Sequence, residues 1–93
     1  MVAQWKKKWH KVLYVVYQSY KYQDGVTSSD IAYEFQISLS HASNILRHLH
    51  HWGFTTRRNI APEQGLPGKK YRYYITRKGR DKLHNVVPFW QGR

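Results

Sequence analysis

The 93-residue sequence has no cysteine, which excludes disulfides and thiolate-ligated metal sites and leaves the redox compartment unreadable. Acid is scarce: five Asp and Glu stand against sixteen Lys and Arg, for a net charge of +11. Long apolar runs are missing as well. The longest, Val12–Tyr17, falls far short of the ~20 residues a membrane helix needs. Nothing reads as a secretory signal, so the expected location is cytoplasmic, or the host cytoplasm if the chain is viral. The few carboxylates are scattered, and neither a phosphate-binding loop nor a nucleophile elbow occurs. The expectation is therefore no enzymatic activity, no cofactor and no small-molecule ligand.

What is abundant is positive charge, and a balance this basic points to a polyanionic partner. The charge is concentrated: between Arg47 and Lys82, ten Lys or Arg residues face only Glu63 and Asp81, a local balance of +8. Aromatic residues make up 16% of the chain, and they call for either a core or a partner.

Periodicity divides the chain into elements within one domain spanning 1–93. Trp5, Trp9, Val12, Leu13, Val16 and Tyr20 fall at the three-and-four spacing of an apolar stripe, which predicts a helix from Gln4 to Tyr22 ended by Asp24-Gly25. Thr27-Ser28-Ser29-Asp30 has the form of a capping box opening a short helix, Ser28 to about Phe35. Ser38 then caps a third helix, Leu39 to His51, whose buried stripe is Ala42, Ile45, Leu46 and Leu49. Gly53 is the expected stop. Phe54–Asn59 and Lys69–Ile75 read as two strands of a hairpin, joined by a loop from Ile60 to Gly68 that holds two prolines and two glycines. Thr76 caps a last helix to about Val86, followed by the apolar tail Val87-Pro88-Phe89-Trp90. The predicted fold class is α+β, mainly α: a winged helix-turn-helix with three helices, a two-stranded β-hairpin wing and a C-terminal helix. Residues 1–25 form the N-terminal helix, 26–83 the core and 84–93 the tail.

From Val26 to Leu83 the sequence resembles the winged helix-turn-helix domains of MarR- and ArsR-class transcription regulators. The likeness is carried by four segments in order: Thr27–Ala32, Ser38–Leu49, Trp52-Gly53-Phe54 with Arg57-Arg58, and Tyr73-Tyr74-Ile75-Thr76-Arg77-Lys78-Gly79. The long terminal dimerisation helices of large MarR-class proteins have no counterpart beyond residues 1–25 and 84–93, and cysteine metal sites of the ArsR kind cannot exist here. In size and tyrosine content the chain is similar to the minimal winged-helix proteins of archaea and their viruses. The resemblance implies a helix placed in the DNA major groove and a basic wing on the backbone or minor groove.

Projected at 100° per residue, the third helix presents Ser40, Asn44, Arg47 and His51 opposite its apolar stripe, flanked by Ser43 and His48. Its first half adds Ser38 and His41. Asn44 suits adenine and Arg47 suits guanine, each by two hydrogen bonds, while Ser38 and Ser40 sit where a helix N-terminus holds phosphate. In the wing, Arg57, Arg58, Lys69, Lys70 and Arg72 are the candidate phosphate contacts, with Arg57 or Arg58, Lys69 and Lys70 ahead of Arg72. His48-Leu49-His50-His51 has metal-ligand spacing, but a stable site needs more ligands than lie nearby, so no metal is expected. Because histidine titrates near neutrality, these side chains would instead add positive charge at lower pH. Trp5, Trp9, Val12, Val16, Phe89 and Trp90 are the expected contacts of a homodimer, the alternative being a tail folded back on its own first helix.

The leading expectation is thus a homodimeric, sequence-specific regulator of transcription that binds double-stranded DNA. An architectural protein that coats DNA without sequence preference follows, then a winged-helix module for protein or RNA. Membrane-surface binding ranks last, and no membrane partner is expected.

Overall fold

In a computed structural model of the chain, described for residues 8–21 and 25–86, four helices and a two-stranded antiparallel sheet enclose one core. The class is α+β and mainly helical. The expected helix start at Gln4, the turn residue Asp24, Trp5 and the tail Val87–Trp90 lie outside the described residues. Among the described residues no helix is long and apolar enough to cross a membrane.

Helix α1 (Lys8–Lys21) packs on α3, α4 and the second strand. Val12, Leu13 and Val16 are fully buried, each removing an apolar side chain from water at a gain of roughly 1.5–3 kcal/mol. Two of these, Val12 and Val16, were expected at a dimer interface. They instead fill the core of the single chain, which leaves them no surface to present. The three-and-four stripe that identified them marks an apolar face without saying what covers it.

Helix α2 (Ser28–Phe35) opens on the capping box expected from sequence. The Thr27 N–H donates to Asp30 Oδ2 at 2.9 Å, and the Asp30 N–H donates to Thr27 Oγ1 at 3.2 Å, so two groups without intrahelical partners satisfy each other. Gln36 ends α2 in the left-handed region, φ 54°. Helix α3 (Leu39–His51) starts three residues later, after Ser38, whose Oγ accepts from the His41 N–H at 3.0 Å. Ala42, Ile45, Leu46 and Leu49 face inward as the stripe predicted. The helix closes through paired bonds from the Gly53 N–H to the His50 carbonyl (3.0 Å) and from the Phe54 N–H to the Leu49 carbonyl (2.9 Å), with Gly53 at φ 84°.

Strands β1 (Thr55–Asn59) and β2 (Tyr71–Ile75) pair with Thr55 opposite Ile75 and Asn59 opposite Tyr71. They are slightly shorter than the sequence suggested. Val26 adds a one-residue bridge to Tyr73, with bonds of 2.9 and 2.7 Å, and so ties the start of α2 to the hairpin. The loop between the strands contains a 3₁₀ turn at Pro62–Gln64. Its base is clamped by one side chain: Asn59 Oδ1 accepts from the N–H groups of Ala61 (3.1 Å) and Lys70 (3.0 Å).

Thr76 joins three elements at one hydroxyl. Its Oγ1 donates to the Gly53 carbonyl at 2.7 Å and accepts from the Gly79 N–H at 3.1 Å, which starts α4 (Arg77–Val86). Gly79 completes the junction by lacking a side chain, since a Cβ there would sit 2.1 Å from the Phe54 carbonyl oxygen. The Thr-x-x-Gly spacing therefore has a physical reason: a cap, then a bare backbone where helix meets strand.

Candidate nucleic-acid interface

A groove of about 680 Å³ runs between the N-terminus of α2, the exposed side of α3 and the hairpin. Thr27, Ser28 and Ser29 form one wall, Leu39, Ser43 and Arg47 the next, and Arg57, Leu66, Pro67, Lys69, Lys70, Tyr71 and Tyr73 the third. Five of the expected contact residues, namely Ser43, Arg47, Arg57, Lys69 and Lys70, come together here although the chain separates them by up to 27 positions. Four of the five are cations, and no acid is among the lining residues.

The strand register decides which wing cations belong to the groove. Side chains alternate across a strand, and Arg57 stands opposite Tyr73 while Arg58 stands opposite Arg72. Arg57 accordingly lies on the Tyr71–Tyr73 face. Its guanidinium covers the Tyr71 ring at 4.0 Å from the centroid, and Nη1 donates to Tyr73 Oη at 3.4 Å. Arg58 and Arg72 occupy the other face as a like-charged cross-strand pair, an unfavourable arrangement by itself. Glu63 offsets it by forming an ion pair with Arg58. Hydrogen bonding to Tyr74, then to Glu63, together with the Glu63 charge, raises the Arg58 pKa above its ordinary value. Arg58 and Arg72 are thus not brought to the groove, whereas Arg57 is.

On α3, Ser40, His41, Asn44, Arg47 and His48 are exposed. Arg47 Nη2 donates to Asn44 Oδ1, so the two side chains best suited to bases hold each other one turn apart. Two of the expected serine contacts also have internal partners. Ser38 Oγ serves as the helix cap. Ser43 Oγ donates to Ser28 Oγ at 2.8 Å and locks α3 to the start of α2. Among the histidines, His48 stacks on Trp52 with centroids 5.7 Å apart, and His50 donates from Nδ1 to the Thr55 carbonyl at 3.2 Å. Among the described residues no three His or acidic side chains converge as a metal-binding group.

Sequence reasoning missed the α2 wall, the Leu39–Leu66–Pro67 rim and the tyrosine floor. The capping box was a usable signal for the first, because it marks the helix end whose N–H groups lack intrahelical partners. Alternation along Tyr71-Arg72-Tyr73 was the signal for the floor. The rim depends on how the hairpin loop folds and had none.

A second cluster lies where α1, α4 and the end of α3 meet. Trp9 makes an edge contact with Trp52 (5.2 Å) and stacks on Phe54 (5.8 Å), while Lys78 and Lys82 sit over Phe54 and Trp9. Trp52 remains 41% exposed. Of the expected dimer contacts, Trp9 belongs to this cluster, and Trp5, Phe89 and Trp90 lie outside the described residues. Comparison of the chain with family models, curated proteins and solved structures gives no match.

Proposed function

We propose that the chain is a winged helix-turn-helix protein that binds double-stranded DNA, with α3 as its recognition helix and the β1–β2 hairpin as its wing. The observation that carries this reading is the convergence of Arg47, Arg57, Lys69 and Lys70 on one acid-free groove beside the exposed polar face of α3. Cations spaced along a groove neutralise successive phosphates, which supplies salt-dependent affinity. Asn44 and Arg47, on the exposed side of the helix, supply the base contacts. The protein acts as a sequence-specific regulator of transcription and works as a homodimer, which the exposed Trp52 beside Trp9 supports as a contact area. Two recognition helices about 34–36 Å apart then read a palindromic site.

One observation favours a second reading, an architectural protein without sequence preference. The Asn44–Arg47 hydrogen bond already occupies the acceptor that adenine recognition uses. The two readings separate in one experiment, the selection of bound duplexes from a random pool followed by titration of selected and random sequences at several salt concentrations. Enrichment of a defined sequence supports the regulator. Equal affinity for every duplex overturns it in favour of the architectural protein.

A further inference from the structure

The hairpin loop carries an apolar tip on a braced backbone. Leu66 is 46% exposed and Pro67 is exposed, whereas Ile60 and Ala61, a few residues earlier, are buried. The loop thus has a place for apolar side chains inside the molecule and holds Leu66 out of it. A lone exposed leucine is ordinary; this one sits on a turn braced by local bonds. The Leu66 N–H donates to the Ala61 carbonyl at 3.0 Å, Gly65 to Pro62 at 3.2 Å and Gln64 to Ala61 at 3.1 Å. The Arg58–Glu63 ion pair fixes the turn from one side and the Asn59 clamp closes it below. Gly65 and Gly68 flank the tip in left-handed conformation, φ 66° and 76°, with open space where a Cβ would stand. Lys69 and Lys70 follow immediately, and the one acid of the loop, Glu63, is paired.

We propose that Leu66 and Pro67 form a wedge that enters the minor groove of bound DNA, partly separates two stacked base pairs and bends the duplex. The inference rests on the DNA-binding reading and adds to it a mechanical action. Leucine and proline are among the side chains able to part a base step, and such insertions kink DNA by roughly 20–90°. The rest of the tip fits that task. Bare glycines on both sides let the sugar-phosphate strands approach the backbone closely, the lysines meet the phosphates beside the opened step, and Pro67 keeps the tip stiff. A basic tip alone would ride on the phosphates without unstacking anything.

The test uses the full chain and a short duplex labelled at both ends for energy transfer, with 2-aminopurine replacing adenine at successive TA steps. Saturating wild-type protein is expected to shorten the end-to-end distance and to raise 2-aminopurine fluorescence at one step. Leu66→Ala, an exposed position that leaves the core intact, abolishes both signals while weakening binding by roughly tenfold at most. Lys69→Ala weakens binding but leaves the bend unchanged at saturation. The wedge is overturned if the wild-type complex is straight and fully stacked, or if Leu66→Ala bends DNA as well as wild type. Failure of the wild-type protein to bind any duplex overturns the DNA-binding reading itself, and with it the wedge.

Discussion

Arg57 and Tyr71, diagonal neighbours across the hairpin, meet with the guanidinium 4.0 Å from the centre of the tyrosine ring. The ring covers one face of the cation and the Tyr73 hydroxyl bonds its edge. The charge is thereby aimed into the groove before any partner arrives, which reduces the ordering cost of contact. Arg58, one residue on, is aimed the opposite way and held by Glu63.

Neighbouring arginines should therefore behave differently. Arg57→Ala is expected to weaken all duplexes alike and to lower the magnitude of the salt slope by about 1. Arg58→Ala should leave the salt slope nearly unchanged and cost less affinity than Arg57→Ala, any loss coming from the freed Glu63 beside the loop tip. Fluorescence anisotropy titrations across a range of salt concentrations provide the check; equal losses for the two variants would contradict the face assignment.

Asn44→Ala removes the side chain proposed to read a base and also frees Arg47 from its partner. The expected result is a loss of about 1–3 kcal/mol of discrimination at one base position, with little change in affinity for random DNA. Lys69→Ala should do the reverse. Repeating the duplex selection with each variant reads both effects directly.

Thr55 illustrates a site where the fold is not optimal. Its side chain is buried and, among the described residues, its hydroxyl has no hydrogen-bond partner. Leaving such a group dry costs about 1–3 kcal/mol. Thr55→Val keeps the β-branched shape that strands favour and should raise stability by roughly 1 kcal/mol, seen as a higher urea midpoint with unchanged slope. A loss of stability would mean that the hydroxyl is satisfied after all.

Val16 and Trp52 separate the core from the proposed dimer contact. Val16→Ala should cost about 2 kcal/mol, by an amount independent of protein concentration, because Val16 is covered by its own chain. Trp52→Ala is expected to shift the mass in sedimentation equilibrium from dimer toward monomer. If the Val16→Ala deficit grows on dilution, the residue contributes to association.

How much of this could be read from sequence differs by type of signal. The capping box at Thr27 and Asp30, the serine cap of α3 and the Thr76–Gly79 ending are local chemistry, and the two caps placed the starts of α2 and α3 at Ser28 and Leu39. Burial within α3 followed equally well from its period. The dimer expectation for Val12 and Val16 failed for a different reason: periodicity finds an apolar face, but only the arrangement of α3, α4 and β2 determines what it meets. The choice between Arg57 and Arg58 likewise required the register, because a slip of one residue exchanges the two faces.

The Asn59 clamp bears on how this protein can change. The Asn59 amide and the Ile60 N–H, which donates to the Lys70 carbonyl at 2.7 Å, close the base of the hairpin loop from outside residues 62–68. Segments of other length or chemistry that keep the Glu63 partner of Arg58 can be grafted there at little closure cost, since each doubling of loop length adds only about 0.6 kcal/mol. The loop tip is thus the part of the molecule most open to replacement, whether by natural variation or by a designer changing what the hairpin presents.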